Sequence, residues 1–253
     1  MTPPAIPLRP LSTAGILLPA ALPEAAALDA PESLAGTLAR CWLDAGVAAH
    51  AARAAQAEFA ARLLRLEAPV PLLHGAARAL LDEAAISAAC LDLARRYGAA
   101  EVALAPIPKR ALPADGDRNE LVLGTLRRGC IAATVESCCA REALEHCQEA
   151  AAREVLLQLE HGRARSAQLA WRFLSWALRG TSAELADQVR VAVLTALGTQ
   201  STPPRLSPSE RQLSRHGVLG GAQRFIIEQR VLRDVVLPCM ENALARARGG
   251  SAA

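Results

Sequence analysis

Residues 32–68 read ESLAGTLARCWLDAGVAAHAARAAQAEFAARLLRLEA, opened by Asp29 and Pro31 and closed by Pro69. Leu34, Leu38, Cys41, Trp42, Ala45, Ala48 and Ala49 recur at mostly three- and four-residue intervals, and Ala52, Phe59 and Leu63 carry the stripe onward. Residues so spaced stack on one side of a 3.6-residue turn, so the stretch is expected to form one long helix with an apolar face. Proline is tolerated where a helix starts and cannot continue one where it ends.

The same punctuation divides the rest of the chain. Pro71 begins a second expected helix that stops at Gly98, with Leu80, Leu81, Ile86, Cys90, Leu93 and Ala94 as its buried side. A link from Gly98 to Asp117 holds Pro106, Pro108, Pro113 and Asp115–Gly116. So long a connection is uncommon between packed elements and suits a crossover along the length of a bundle. A third helix is expected from about Arg118 to Cys147 and a fourth from about Ala150 to Leu178, closed by Gly180. No proline or glycine marks the break between them. Thr181–Glu184 has the form of a capping box for a fifth helix to about Leu197. After Pro203, Pro204 and Pro208, a short turn leads to a last helix from Gly221 to about Arg246. The expected fold is all-α: a four-helix bundle over 31–180 with a long crossover, of the ferritin-like kind. A Pro/Ala-rich arm precedes it at 1–30, and a helical extension at 181–253 packs on it.

Composition agrees. Of 253 residues, 52% are apolar, only 3% are aromatic and more than a fifth are alanine, which favours helix over sheet. A formal charge of +3 is too small to imply a polyanion partner. The arginines alternate with acidic residues without interleaved aromatics, so nucleic-acid binding is not expected. No run of 18 apolar residues predicts a membrane span. The cysteines, Cys41, Cys90, Cys130, Cys138, Cys139, Cys147 and Cys239, are odd in number and form no CxxC, which suits a reducing cytoplasm. P-loop, GxGxxG, HExxH and GxSxG motifs are absent.

Four segments resemble a bacterial group of ferritin-like domain proteins. Trp42-Leu43 through Ala49-His50-Ala51-Ala52 resembles a first-helix segment ending in Glu-His-Ala-Ser, and Leu81-Asp82-Glu83 through Cys90 to Tyr97-Gly98 a second built on Asp-Glu-x-x-His. Gly129-Cys130-Ile131-Ala132-Ala133-Thr134 resembles Gly-Cys-Ile-Gly-Glu-Thr on the third helix. Residues 163–173, RARSAQLAWRF, resemble Glu-x-Arg-His-Ala-x-Leu-Ala-Trp-Arg-Phe on the fourth. His216-Gly217-Val218-Leu219 and Val235-Val236-Leu237-Pro238-Cys239 extend the likeness, which covers roughly residues 34–244.

The resemblance implies a dimetal site of inward-facing carboxylates and imidazoles. Carried onto this chain, its ligand positions fall on Ala49, Glu83, Ile86, Ala133, Arg163 and Ser166. Glu83 alone is a ligand, and a cationic Arg163 beside it would repel a metal. No metal and no other cofactor is therefore expected, and no ferroxidase or di-iron oxygenase activity. Two readings of Arg163 stand side by side: its guanidinium replaces the metal as counterion to Glu83, with Ser166 and His50 as candidates to complete the hydrogen bonds, or it reaches solvent while Glu83 sits half exposed at a helix rim.

Glu136 and Glu160, each one turn from a former ligand position, stand at a similar level with His161 nearby, and are expected to form salt bridges before a displaced metal site. His50, Ser166, Glu136, Glu160 and His161 are the candidate pocket-lining residues, and Glu83, Arg163 and Cys130 the candidate catalytic groups, although Cys130 is read first as packing. Three functional readings stay open. The leading one is a metal-free scaffold or interaction partner, as a homodimer or with another protein. The second is a cofactor-independent enzyme, or a binder of a small apolar ligand, using the space vacated by the lost ligands. The third is a di-iron oxidase with unusual ligands.

Overall fold

The computed structural model describes residues 27, 28, 30–100, 104, 118–179, 181–198 and 209–249, and every regular element among them is helical. The elements are α1 (Glu32–Arg65), α2 (Val70–Arg96), α3 (Arg118–Thr125), a π-helical segment π1 (Leu126–Ala133), α4 (Thr134–His146), α5 (Ala150–Ala177), α6 (Ala183–Gly198), α7 (Glu210–Arg215), α8 (Gly221–Val231), a second π segment π2 (Leu232–Val236) and α9 (Leu237–Gly249). The expected N-terminal arm, the crossover and the loop around Pro203 lie almost wholly outside the described residues. Among the described residues, no helix is long and apolar enough to cross a membrane.

The stripe of α1 faces inward as expected, with Leu34, Leu38, Trp42, Ala49, Phe59 and Leu63 buried; Ala48 is the exception and faces solvent. On α2 the inward face sits one position further round than expected. Leu81 is 65% exposed, while Asp82 and Glu83 turn inward with Ile86, Cys90, Leu93 and Ala94. Two carboxylates occupy space that hydrophobicity alone would have assigned to leucine. The helix ends where Gly98 takes φ +93°. There the Gly98 and Ala99 N–H groups donate to the Arg95 and Ala94 carbonyls, at 2.8 and 3.0 Å, satisfying carbonyls that a helix end leaves free.

α3, π1 and α4 follow one helical path, because the backbone at Thr125 and Thr134 stays in the right-handed helical region. The break before α5 needs neither proline nor glycine. Cys147 turns to an extended conformation, the Glu149 carboxylate accepts from the Ala151 N–H at 3.2 Å, and the Gln148 and Glu149 N–H groups donate to the Arg215 carbonyl at the end of α7. The expected capping box does not form around Thr181. Ser182 accepts from the Leu185 N–H instead, and the Thr181 hydroxyl turns back to the Leu178 carbonyl.

α1 packs along α2, α2 along α5, and α5 along π1 and α4; α8 lies on α4, and α9 on α5 and α6. Leu38, Leu63, Leu93, Leu126, Phe173 and Leu174 fill the centre without exposure worth counting. Two glycines set how closely the helices meet. A Cβ on Gly162 of α5 would stand 2.7 Å from Cδ1 of Ile86, and one on Gly129 of π1 would stand 2.4 Å from the Ala170 Cβ. Both are closer than carbon atoms can approach; the end of the Ile86 side chain could shift to admit a methyl group at Gly162, but the Ala170 Cβ cannot, so the crossing at Gly129 requires the missing side chain.

Candidate functional site

The α2–α5 crossing carries the charged residues singled out in the sequence. Glu83 is 1% exposed, and its Oε1 accepts from Nη1 of Arg163 on α5. The second carboxylate oxygen, Oε2, is buried and has no hydrogen-bond partner among the described residues. Arg163 is held from its other side by Glu136 of α4, whose Oε2 lies 2.7 Å from Nε. That approach is an ion pair rather than a hydrogen bond, because the Nε–H does not point along it. Burial raises the Glu83 pKa above the usual carboxylate value of 4.5; Arg163 opposes this, and Glu136 and Asp82 add to it.

The neighbouring pair was not anticipated. Asp82 accepts from Nε and Nη2 of Arg165 at 2.8 and 2.9 Å, a bidentate fork, and from Nε of Arg78 one turn back at 3.2 Å. The Asp82-Glu83 doublet on one helix therefore meets the Arg163-x-Arg165 pattern on the next. The complementary doublets were present in the sequence, but the expectation had turned Leu81 inward and left Asp82 unassigned.

Of the other positions that the resemblance would make ligands, Ala49 and Ile86 are closed by packing, whereas Ala133 and Ser166 border a cleft described below. Ala49 is fully buried, Ile86 presses its side chain into the gap at Gly162, and Ala133 is buried at the end of π1. Such a set does not fit a dimetal centre. The one carboxylate donor is occupied by a guanidinium, and hydrocarbon stands where an imidazole would have to reach. Among the described residues, no group of three or more His, Cys, Asp or Glu side chains is placed to hold a metal ion.

Ser166 and His50 do not complete the Glu83–Arg163 pair. His50 Nδ1 lies against Nη2 of Arg53 within α1. Glu160, nearly buried, pairs with Arg141, and its backbone carbonyl accepts from the Ser137 hydroxyl; His161 is exposed, with Nε2 3.5 Å from Glu160 Oε2. The Glu136–Glu160 region is thus a set of salt bridges, and His50, Glu136, Glu160 and His161 line none of the described cavities. Ser166 does line one.

That cavity is a half-open cleft of about 140 Å³ on the side of α5 facing α1 and π1. Ala52, Ala55, Gln56 and Phe59 of α1 form one wall, Thr125, Arg128, Gly129 and Ala133 the opposite one, and Ser166, Leu169 and Ala170 of α5 the floor. It reaches neither Glu83 nor Arg163. Sequence reasoning pointed to Ala133 and Ser166 as places where space could open, but missed Gln56, Thr125 and Arg128, which come from the facing helices.

The thiols near these sites are not poised as nucleophiles. Burial pushes Cys90 up to about 12 and raises Cys130 well above its ordinary value, so both stay protonated at neutral pH. Comparisons of the chain with protein-family models, with curated proteins and with solved structures find no match.

Proposed function

We propose that this chain is a metal-free, ferritin-like four-helix bundle acting as a non-catalytic scaffold or interaction partner, a pseudoenzyme in architecture. The observation that supports this reading most directly is the Arg163 guanidinium seated on the Glu83 carboxylate. An ionised carboxylate buried at a helix crossing needs a counter-charge, since leaving it unpaired costs several kcal/mol. In a dimetal protein of this kind the cations supply that charge; here the neighbouring helix does. The protonated Cys90 and Cys130 support the same reading, because the two buried thiols near the centre lack the thiolate that nucleophilic chemistry requires.

The test is elemental analysis of the full chain, expressed with excess iron and manganese and purified without chelator. Metal far below one ion per chain, with thermal unfolding unchanged by chelator, is the expected result. Near-stoichiometric iron, manganese or zinc overturns it in favour of an oxidase with unusual ligands.

A further inference from the structure

The cleft between α1, π1 and α5 has the make-up of a ligand site rather than of a packing defect. Thr125 and Ser166 are each more than nine-tenths buried, yet neither hydroxyl has a hydrogen-bond partner among the described residues, and both residues line the cleft. Gln56 and Arg128, on opposite walls, likewise make no hydrogen bond or ion pair with a described residue. Two hydroxyls on enclosed residues, a half-buried amide and an exposed guanidinium thus converge on one opening with their hydrogen-bonding capacity unused by the described residues, as the few polar groups of a ligand site do.

The chemistry of that partner follows from the lining. Among the described residues that line the cleft, Arg128 alone is charged, and none is a carboxylate that would cancel the charge. Its guanidinium lies back over Gly124, one turn earlier, with Nη2 2.8 Å from where a Cβ on that glycine would be. The absent side chain leaves room for the guanidinium along this turn. Behind it the walls are hydrocarbon: Ala52, Ala55, Phe59, Leu169 and Ala170. One cation, hydroxyl and amide groups, and an apolar interior suit a singly charged head on a short aliphatic body. The volume matches cavities that hold roughly six to eight heavy atoms.

We propose that this cleft binds a small aliphatic monocarboxylate, its carboxylate on Arg128 with Gln56, Thr125 and Ser166 as further hydrogen-bonding groups, and its chain against Phe59 and Leu169. The site goes beyond the scaffold reading and is independent of it, because the cleft shares no residue with the Glu83–Arg163 pair and its test does not involve metal.

Calorimetric titration of the full chain with hexanoate, and separately with hexylamine, tests the proposal. Hexanoate is expected to bind saturably and at least about tenfold more tightly than hexylamine, since a fork of charge-assisted hydrogen bonds to a carboxylate has no counterpart with an ammonium. R128Q, at an exposed position whose loss leaves the fold intact, should weaken hexanoate at least about tenfold by removing that fork. A55L, which places a larger side chain on the half-exposed wall, should abolish binding while the far-ultraviolet circular dichroism stays that of the native chain. Absence of saturable hexanoate binding, equal affinity for the two probes, or affinity unchanged in R128Q each overturns the proposal.

Discussion

Asp82 and Arg165 meet as a two-pronged pair across the α2–α5 crossing, with Nε to Oδ2 at 2.8 Å and Nη2 to Oδ1 at 2.9 Å. The next acidic residue, Glu83, takes Arg163 from the same helix. The two pairs differ in surroundings. Arg165 is nearly half exposed, whereas Glu83 and Arg163 are almost enclosed. Their energetic weights should differ accordingly.

Removing one partner of the enclosed pair should be costly. R163A leaves a buried carboxylate without its counter-charge and is expected to destabilise the chain by about 3 kcal/mol, read from urea unfolding. The double variant E83L/R163M, which replaces the pair by hydrocarbon, should recover most of that loss. A double variant no more stable than R163A would show that the pair is not what the single substitution removes. R165M, at the more exposed pair, should cost about 1 kcal/mol or less.

Stability should fall with rising pH on account of Glu83. Its pKa is raised by burial, so the folded chain holds this proton more tightly than the unfolded chain does. Its contribution is fully present below about 4.5, the unfolded value, and is lost as pH rises through the higher folded value. In urea unfolding across this range, the stability difference between the native chain and E83Q should decline as pH increases. A difference that is flat, or that grows with pH, would contradict the assignment.

Two glycines on long helices should respond in opposite directions to alanine. G129A puts a methyl group against Ala170 and is expected to cost about 1–3 kcal/mol by forcing π1 from α5. G36A meets open space on α1 and should stabilise by about 0.5–1 kcal/mol through helix propensity. Thermal unfolding of the two variants separates close approach from backbone preference.

Alkylation should divide the cysteines by burial. Cys41, Cys138 and Cys239 are part-exposed, while Cys90, Cys130, Cys139 and Cys147 are buried. Brief iodoacetamide treatment at neutral pH, followed by mass spectrometry, should modify the first group and reach Cys90 and Cys130 only after unfolding. Rapid labelling of Cys130 in the native chain would restore it as a nucleophile.

How far the sequence carried the structure differs from place to place. The limits of α1 and α2 were readable within a few residues, because prolines and Gly98 fix them locally. The break at Cys147 was placed correctly but without a cause, since part of its cause is the carbonyl of Arg215, far away in the chain. The π segments left no such mark: the residues of π1 fit an ordinary helix, and their winding is apparent only in three dimensions. The Glu83–Arg163 pair was one of two readings left open by the sequence, because an arginine at a resembled ligand position can meet a buried carboxylate or turn to solvent; the structure has the first. Its supporting residue was not legible: His50 turned to Arg53 on its own helix, and Glu136 took the place assigned to it. The cleft was half legible, because small residues at Ala133 and Ser166 announce room, while the direction of Arg128 depends on a glycine one turn away.

The salt bridge between Glu83 and Arg163 also bears on how the molecule comes into being. A protein whose central charge is balanced by imported ions must wait for delivery, compete for them, and lose integrity when the supply fails. A guanidinium arrives with translation, one per chain and at fixed stoichiometry, and no scavenger can strip it out. With Arg163 on Glu83, both charges at this point of the α2–α5 seam are written into the chain itself.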